Sequence, residues 1–430
     1  MTLTTRDLIV ETDHSLPLVH FSVALRTGAA LDPDELAGLT RLTARLMRRS
    51  AGGRDADAID LLVDGMGASF SADVGSSTVG FSGTVISRSF PKLLDLLKEL
   101  LGSPGFTDSE LQLLKRETLA ELVEAKDNDK LLARRWFNRE FFKDHPYGRS
   151  VLGNMKSLER LERSAVVGNY QSSFTAGNLL CCFAGDIDQD NAEKAAQALR
   201  QTLPQLPALT DTTAEPTGVT GRRLLIVDKP ERTQTQILMG SLGTHTRDPD
   251  HVALQVANTV FGGTFTARLM QEVRAKRGWS YGANSSLAHE RRRHAFVMWT
   301  FPKAEDCAPC IELELQLLQQ WWQDGISEQE LTWVKSYLTR SHAFNIDTCA
   351  KRASLAQDEV LYDLPPGYYA DYISRINAVT LDQANAAIRN RIDPKNLLIV
   401  VVGTESLVGN AVRAAIPDLE HHDVVPFDRD

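Results

Sequence analysis

The chain repeats one order of predicted strands and helices, and the two copies are offset by about 215 to 220 of its 430 residues. The first copy has a strand, a helix, a small-residue turn, a strand, a helix and a capped helix start, at 19–26, 34–49, 67–71, 78–86, 91–94 and 106–111. The second copy has the same elements in the same order, at 235–240, 249–261, 281–285, 295–301, 311–322 and 326–331. The sequence therefore predicts two homologous domains.

The segment between the copies predicts the domain boundary. Residues 204–221 read PQLPALTDTTAEPTGVTG, which is rich in Pro, Thr and Gly and has no hydrophobic period. We predict an N-terminal domain at 1–207, a linker at 208–221 and a C-terminal domain at 222–430. Within each copy strands alternate irregularly with helices, which favours the α+β class, with a mixed sheet covered by helices.

Charge and composition exclude several classes of function. The chain has 47 Lys and Arg against 56 Asp and Glu, and the net charge of −9 argues against a nucleic-acid binder that relies on phosphate neutralisation. No run reaches the roughly 18 apolar residues that a membrane-spanning helix needs. The N-terminus has no basic segment followed by an apolar one, so we expect a cytoplasmic chain as given, or a periplasmic chain whose leader was removed.

The cysteines leave the redox compartment open. Five are too few for a disulfide framework in a chain of this size. Cys307 and Cys310 have the C-x-x-C spacing of redox and metal sites. Because no second pair and no His pair accompanies them, zinc is not expected there, and they are either two incidental thiols or a labile disulfide.

Two motifs give the sequence a resemblance to a known family. One is the loop Gly38-Leu39-Thr40 that leads into a helix, and the other is the run ARLMQEVRAKRGWSY from Ala267 to Tyr281. Together with the order of elements, they resemble the pitrilysin-like metallopeptidases, the family of insulinase and the mitochondrial processing peptidase. The resemblance covers essentially the whole chain and implies two domains that form half of a clam-like chamber.

The resemblance also implies where a zinc site would lie. The family uses His-x-x-Glu-His on the helix after the loop, with a further Glu ligand later in the chain; the two imidazoles share one helix face, and the Glu between them is the base. Here the three positions are Arg41, Ala44 and Arg45, and Glu121 stands 76 residues beyond Arg45 as the further ligand would. Guanidinium groups cannot ligate zinc and Ala cannot act as a base. We expect no metal in this chain and no catalysis by the chain alone.

The same helix carries four arginines, Arg41, Arg45, Arg48 and Arg49. Their spacing of i, i+4, i+7 and i+8 places the charges on one face, and Glu121 is expected to pair with one of them. Three interpretations stay open: a solvated or salt-bridged face, a surface that binds anions or carboxylates inside a chamber, and a subunit interface. Each of them opposes the binding of a cation.

The resemblance implies a functional role for two residues of the C-terminal domain. The family places an Arg and a Tyr seven residues apart in the domain that faces the zinc, and Arg274 and Tyr281 match this pair. The implied role is to hold the substrate backbone or to stabilise the oxyanion of amide hydrolysis. The structural alternative is that Arg274 forms an ion pair within its helix and Tyr281 opens the next strand. Arg268 is expected to be structural.

Some small bacterial members of the family divide the work between two homologous subunits, one with the zinc motif and one with the Arg/Tyr pair, and this sequence resembles the second kind. We expect a non-catalytic subunit of a heterodimeric peptidase, with zinc held by a homologous partner. The substrate would be an unfolded peptide that adds as a strand to a sheet edge. Two alternatives stay open: a scaffold protein, like the peptidase-derived core subunits of respiratory complexes, and a homologue that binds peptides without cleaving them.

Overall fold

The secondary structure follows the repeat throughout the residues that the computed structural model describes, 7–288 and 290–429. The strands of the first half are β1 (Leu8–Thr12), β2 (Leu18–Leu25), β3 (Ser69–Val74), β4 (Val79–Ile86) and β5 (Leu179–Gly185). Its α-helices are α1 (Leu39–Arg49), α2 (Ala56–Gly65), α3 (Phe90–Gly102), α4 (Asp108–Asp127), α5 (Asp129–Phe141), α6 (Met155–Arg160), α7 (Arg163–Ser173) and α8 (Gln189–Thr202). Short 3₁₀ helices lie at Ala29–Leu31, Asp34–Leu36, Ser87–Ser89, Pro146–Gly148 and Ala176–Asn178.

The second half begins with a strand as the first half does. Its strands are β6 (Arg222–Asp228), β7 (Gln236–Leu242), β8 (Ala283–Leu287), β9 (Ala295–Thr300), β10 (Leu397–Gly403) and β11 (Leu419–Pro426). Its α-helices are α9 (His251–Phe261), α10 (Cys307–Asp324), α11 (Glu328–Ser341), α12 (Ala343–Ile346), α13 (Cys349–Leu361), α14 (Tyr372–Ala378), α15 (Leu381–Arg391) and α16 (Glu405–Ala415). A π-helix lies at Met270–Ala275 and a 3₁₀ helix at Ala304–Asp306. In the part of the chain that is described, no helix is long and apolar enough to cross a membrane.

Each half contributes one mixed sheet, and the two sheets share one strand order. The first sheet runs β1-β5-β2-β4-β3, and the second runs β6-β10-β7-β9-β8 with β11 added beside β6. The first pair of each order is parallel and the later pairs are antiparallel, while β11 runs parallel to β6. The predicted α+β class, with two related domains of mixed sheet and helix, is confirmed.

Each sheet has a hydrophobic core of its own. Along β2 the alternate residues Val19, Phe21, Val23 and Leu25 are buried, because successive side chains of a strand point to opposite faces. They belong to one apolar cluster with residues of α1, α3 and α8. The second sheet has an equivalent cluster with α9, α10, α15 and α16. Burial of one such side chain contributes about 1.5 to 3 kcal/mol.

Each sheet is also covered by a helix from the other half of the sequence. α13 packs on β5 and β1, where Cys349 and Ala353 form one apolar cluster with Cys182. α5 packs on β10 and β7, and Gly240 of β7 makes room for Phe137, since a Cβ at residue 240 would lie 2.8 Å from the Cζ atom of Phe137. The sequence analysis did not foresee this exchange of helices.

The chain accordingly forms two compact units that do not coincide with its halves. The described part of the first unit is 7–122, 149–213 and 343–369, and that of the second is 123–148, 214–288, 290–342 and 370–429. Residues 204–220, all described, form neither helix nor strand. The domain limits at 207 and 222 were predicted from the repeat in the sequence, whereas the two units are defined by contacts in space. These limits therefore stay a prediction.

The helix predicted at 34–49 is interrupted. A 3₁₀ turn at Asp34–Leu36 ends before α1 begins at Leu39. Gly38 between them has a φ of 95°, a left-handed conformation that favours glycine. A side chain at this position would also lie 3.0 Å from the carbonyl oxygen of Leu152. The glycine therefore separates the two segments and sets the direction in which α1 begins.

Candidate functional site

The buried Asp32 fixes the start of α1. Its carboxylate accepts hydrogen bonds from the N–H groups of Gly38 at 3.0 Å and Thr40 at 3.1 Å, and from Oγ1 of Thr40 at 2.6 Å. These bonds satisfy donors that the first turn of a helix leaves without partners. Burial raises the pKa of Asp32 to about 6, although the hydrogen bonds oppose the rise. The hydrogen bonds to Asp32 therefore fix the first turn of α1, the helix that carries the four arginines.

α1 has an apolar face and a basic face. Leu42, Leu46 and Met47 are buried in the core of the first unit, and Ala44 is fully buried with them. On the other face, each of the four arginines keeps 19 to 26% of its side chain exposed. Position 44, which would need an acidic side chain to supply a base, is thus enclosed by the core.

Glu121 of α4 joins two of these arginines. Its Oε2 accepts a hydrogen bond from Nη2 of Arg41 at 2.6 Å, and its Oε1 accepts one from Nη1 of Arg45 at 2.7 Å. The sequence predicted a pair with one arginine, and the structure has both. Burial raises the pKa of Glu121, but the hydrogen bonds and charges of Arg45 and Arg41 outweigh it and hold the pKa below its ordinary value.

The other two arginines of α1 are paired as well. Arg49 donates to Oε2 of Glu117 at 2.5 Å, and this oxygen also lies 3.6 Å from Nη2 of Arg45. Arg48 pairs with Asp60 at 2.5 Å. Carboxylates of the same compact unit therefore neutralise the basic face. This favours the salt-bridged interpretation over a surface that binds anions.

Replacing Glu121 by Gln is expected to lower the free energy of unfolding by about 1 to 3 kcal/mol. The substitution leaves Arg41 and Arg45 partly buried with only a neutral amide between them. Urea denaturation of the purified chain measures the effect. Glu124 is exposed on the same helix, so Glu124→Gln is a matched control and should change stability by under about 0.5 kcal/mol. Equal stabilities of the two variants would mean that the pairs contribute nothing.

The groups around Glu121 do not suit a metal ion. Among the described residues, no group of three or more His, Cys, Asp or Glu side chains is arranged to hold one. The side chains that meet Glu121 are the guanidiniums of Arg41 and Arg45, which are donors with no lone pair for a metal. The residues present therefore do not fit zinc.

Arg274 lies on the π-helix of the second unit. The N–H of Lys276 donates to the carbonyl oxygen of Gln271 at 3.0 Å, one residue further back than in an α-helix. Single π turns occur frequently at functional sites. Gly278, with a φ of 66°, ends the helical stretch, and the chain then passes through Tyr281 into β8, the edge strand of the described second sheet.

Two exposed aromatic rings hold the guanidinium of Arg274. Its Cζ lies 4.5 Å from the ring centre of Phe265 and 4.5 Å from that of Tyr281. Tyr281 is 77% exposed and Phe265 is 69% exposed. Each such contact is worth about 0.5 to 1 kcal/mol at an exposed site. We call Phe265, Arg274 and Tyr281 the aromatic clamp.

The basic residues that follow Arg274 share one carboxylate. Lys276 lies 2.5 Å and Arg277 lies 2.8 Å from the oxygens of Glu272. Arg274 has no carboxylate oxygen within 4.0 Å of its nitrogens among the residues that the structure describes. Lys276 and Arg277 therefore form the ion pairs within the helix that were the structural alternative for Arg274. The guanidinium of Arg274 lies against the two rings instead.

Arg268 has a different environment. It donates to Glu330 from Nε at 2.8 Å and from Nη2 at 2.7 Å. The same carboxylate accepts the N–H of Ser327 at 2.8 Å, within the predicted capping box at the start of α11. This bidentate pair joins the helical residues just before the π-helix to α11, which suits the structural role expected of Arg268.

The structure brings the predicted residues together in two groups. The group in the first unit is Arg41, Ala44, Arg45 and Glu121, and the group in the second unit is Arg274 and Tyr281. Phe265 belongs to the second group, and the sequence analysis missed it. The available signal was an aromatic residue in the turn 262–266, which has no hydrophobic period that would require its burial.

Cys307 and Cys310 are buried thiols in the first turn of α10. Burial raises the pKa of both thiols, that of Cys307 to about 12. The thiolate, which is the reactive form, is therefore strongly disfavoured, and this favours incidental thiols over a redox pair.

Glu314 lies one turn further along α10 and is a buried acidic residue, with 1% of its surface exposed. The sequence analysis did not predict its burial.

Two family descriptions match the chain. "Insulinase (Peptidase family M16)" matches residues 8–155, and "Peptidase M16 inactive domain" matches residues 160–338. Together the two matches extend from β1 into α11, and the first contains the zinc-motif positions while the second contains the aromatic clamp.

Curated relatives span nearly the whole chain. The "Non-peptidase homolog YmxG" of Helicobacter pylori is 22% identical over 399 residues, which are 93% of this chain and 92% of that protein. An "Uncharacterized zinc protease" of Mycobacterium tuberculosis is 24% identical over 385 residues, which are 87% of this chain and 86% of that protein.

Solved structures share the fold. The peptidase M16 inactive domain from Pseudomonas fluorescens has a TM-score of 0.86 at 25% identity and covers 93% of this chain and 97% of its own. A chain of complex III2 from Candida albicans has a TM-score of 0.77 at 13% identity and covers 95% of this chain and 97% of its own. At that identity the second likeness concerns the fold alone.

Proposed function

Because the chain belongs to the pitrilysin-like peptidases of family M16, we propose that it is a zinc-lacking subunit of a heterodimeric metallopeptidase. It supplies Arg274 and Tyr281 for substrate binding and oxyanion stabilisation. A homologous partner subunit holds the zinc and the base. Peptides are hydrolysed by the complex and not by this chain alone.

The observation that carries the proposal is a contrast between two sets of arginines. At the zinc-motif positions, Arg41 and Arg45 are neutralised by Glu121 in a partly buried network. In the aromatic clamp, Arg274 lies against two exposed rings, with no carboxylate oxygen of the described residues within 4.0 Å of its nitrogens. The first arrangement suits stability, and the second suits contact with a ligand.

The chemistry of the clamp suits amide hydrolysis. When an oxygen nucleophile adds to an amide carbon, the carbonyl oxygen gains negative charge. The phenol O–H of Tyr281 and the guanidinium N–H groups of Arg274 are donors that stabilise this charge or bind a neighbouring carbonyl. The rings limit the movement of the guanidinium, so little reorganisation accompanies the reaction.

The strand next to the clamp suits an extended peptide. β8 begins two residues after Tyr281 and pairs with β9 alone among the described strands. An edge strand presents N–H and C=O groups to which a peptide can add as a further strand. β3 has the same position in the first sheet. Pairing at such an edge recognises the main chain of an unfolded peptide without requiring one sequence.

Replacing Tyr281 by Phe is expected to lower the turnover of the two-chain complex by about 10- to 100-fold, because one donor to the developing charge is lost while the ring remains. The assay measures cleavage of a quenched fluorescent peptide. It uses this chain, a homologue with an intact His-x-x-Glu-His motif from the same source, and their mixture. Only the mixture is expected to be active.

Tyr337→Phe is the matched control, since Tyr337 is an exposed tyrosine stacked on Trp333, away from the clamp in sequence. It should leave the turnover of the mixture unchanged. A homologue that is fully active without this chain would refute the proposal. So would a Tyr281→Phe mixture that is as active as the wild type.

A second candidate is a scaffold or a peptide-binding protein without a part in hydrolysis. The name of the Helicobacter pylori relative, a non-peptidase homolog, favours it. The two candidates differ in one result. Tyr281→Phe leaves any activity of a partner intact if the chain is a scaffold, and lowers it if the chain completes the site.

A further inference from the structure

We propose that the aromatic clamp is a receptor for a carboxylate of the bound peptide, and that Phe265 determines this specificity. The proposal deepens the proposed function and rests on it, since it names the class of peptide that the same site selects. The carboxylate is either the C-terminus of the peptide or an Asp or Glu side chain.

The first step of the argument is the geometry of stacking. A guanidinium that lies over aromatic rings offers them its planar faces, while its N–H groups point outward in the plane. Both ring centres of the clamp lie 4.5 Å from Cζ of Arg274, within the range of cation–π contact. The guanidinium nitrogens form no hydrogen bond or ion pair with the described residues, so their N–H donors are available to a ligand.

The second step is charge. The sequence from Arg268 to Arg277 carries four cationic side chains, and the carboxylates paired with them are those of Glu272 and Glu330. These six side chains therefore carry a net charge of +2, which attracts an anion. The basic face of α1 has no such excess, because its four arginines are paired with four carboxylates of the same unit, Glu110 among them.

The third step is the match between donor and acceptor. A carboxylate has two oxygens in one plane and accepts two parallel N–H bonds from one guanidinium, whereas a neutral amide carbonyl offers one oxygen. A guanidinium held in a fixed plane favours the bidentate acceptor, because less rotamer freedom is lost on binding. The guanidinium of Arg274 therefore discriminates between a carboxylate and an amide. In this proposal Arg274 serves the substrate-binding part of the proposed function, and the phenol O–H of Tyr281 is the donor to the oxyanion.

Phe265 is the part of this arrangement that the Arg/Tyr pair alone does not supply. It lies in the turn after α9, is 69% exposed, and is outside the hydrophobic core of the second unit. Its described aromatic contact is the guanidinium of Arg274. Replacing it by Leu keeps an apolar side chain and removes the flat face, so the fold should be unaffected and the guanidinium loses one support.

The test measures binding of three labelled peptides to the full chain by fluorescence anisotropy. The peptides share one sequence: one has a Glu and an amidated C-terminus, one has Gln and a free C-terminus, and one has Gln and an amidated C-terminus. At least one carboxylate peptide should bind about tenfold more tightly than the neutral one, since hydrogen bonds to charged groups are the stronger ones. Which of the two binds tightly identifies the source of the carboxylate.

Variants locate the effect. Arg274→Gln and Phe265→Leu should reduce the preference to under about twofold. Arg277→Gln is the matched control. It removes one positive charge three residues after Arg274, from a side chain that is already paired with Glu272, and it should keep the preference for carboxylate peptides. Tyr281→Phe should also keep it, because the ring still stacks, although the proposed function predicts that this variant lowers turnover.

These outcomes separate the two proposals. Carboxylate preference that depends on Arg274 and Phe265, with turnover of the mixture unaffected by Tyr281→Phe, would leave the receptor standing and remove the catalytic role. Equal affinities for the three peptides, or no binding of any of them, would overturn the receptor. If Arg277→Gln and Arg274→Gln lost the carboxylate preference equally, the receptor would be overturned too. The attraction would then depend on the total positive charge and not on the guanidinium of Arg274. Full preference in Phe265→Leu would exclude Phe265 as its determinant.

Discussion

A chain in which Arg41 and Arg45 are both replaced by His is expected to bind zinc at least about 100-fold more tightly than the wild-type chain. The two positions are one helical turn apart on one face of α1, so their imidazoles would converge. Glu121 already contacts the side chains at both positions. Two imidazoles and one carboxylate leave the fourth position of a tetrahedral site to water.

The lengths of the groups support this expectation. The Glu121 oxygens lie 2.6 and 2.7 Å from the guanidinium nitrogens of Arg41 and Arg45. An imidazole is shorter than an arginine side chain, and a zinc ion with bonds of about 2.0 to 2.2 Å to nitrogen and oxygen would fill the difference. The positive charge that faces Glu121 is also retained, because one Zn²⁺ ion carries the same charge as the two guanidiniums of Arg41 and Arg45 that it replaces.

The affinity is measured by competition with a chromophoric zinc chelator. Zinc at 100 times its dissociation constant should also raise the free energy of unfolding by about 2.7 kcal/mol. The matched control replaces Arg48 and Arg49 by His, because adjacent positions on a helix diverge and cannot share one ion. Adding Glu121→Gln to the double His variant should weaken zinc binding by about tenfold or more.

The double variant should bind zinc without hydrolysing peptides. Ala44 stands where the family has its base, and it is fully buried in the core, so the variant still lacks the group that deprotonates water. Zinc affinity no better than that of the Arg48 and Arg49 control would mean that these positions do not correspond to a zinc motif. The proposal of a degenerate site would then fail.

The fold was largely predictable because its signal is periodic and occurs twice. Alternation along β2 and the recurrence of the same order of elements indicated two related mixed sheets from the sequence. The exchange of α5 and α13 between the sheets was not predictable in this way. An amphipathic pattern shows which face of a helix is buried and does not show which sheet buries it.

The candidate sites were predictable at the level of residue identity and not at the level of contacts. The resemblance indicated Arg41, Arg45, Arg274 and Tyr281, but the double pairing of Glu121 depends on how α4 packs beside α1. Phe265 was missed because a single aromatic residue in a turn has no periodic signature. Its contact with Arg274 joins two segments nine residues apart through a turn and a π-helix, and neither has a sequence pattern that fixes its geometry.

Glu314 shows the same limit within one helix. Glu312 and Glu314 alternate with apolar residues in the segment IELEL of α10, so the sequence does not distinguish them. In the structure Glu312 is exposed, whereas Glu314 is 1% exposed. Burial raises the pKa of Glu314 from 4.5 to about 8. The folded chain therefore keeps this carboxyl protonated under conditions in which the unfolded chain ionises it.

Glu314→Gln is expected to remove a large pH dependence of stability. The wild-type contribution is fully present below pH 4.5, the unfolded pKa, and is lost as the pH rises to about 8, the folded pKa, because ionisation then favours the unfolded chain. This interval of 3.5 pH units corresponds to about 5 kcal/mol. The variant has a neutral amide of the same shape, so the two proteins should differ by under about 1 kcal/mol at pH 5, and the variant should be more stable by about 5 kcal/mol at pH 8.5.

Urea denaturation of both proteins from pH 5 to pH 8.5 measures this difference, and all other titrating groups cancel because the two proteins share them. Glu312→Gln is the matched control on the same helix and should follow the wild-type curve, because its side chain is exposed in the folded chain. The thiols of Cys307 and Cys310 lie near Glu314 and have raised pKa values of their own, so they remain neutral across this range. Parallel curves for wild type and Glu314→Gln would mean that the carboxylate at 314 is ionised in the folded chain, with a counter-charge or water that compensates it.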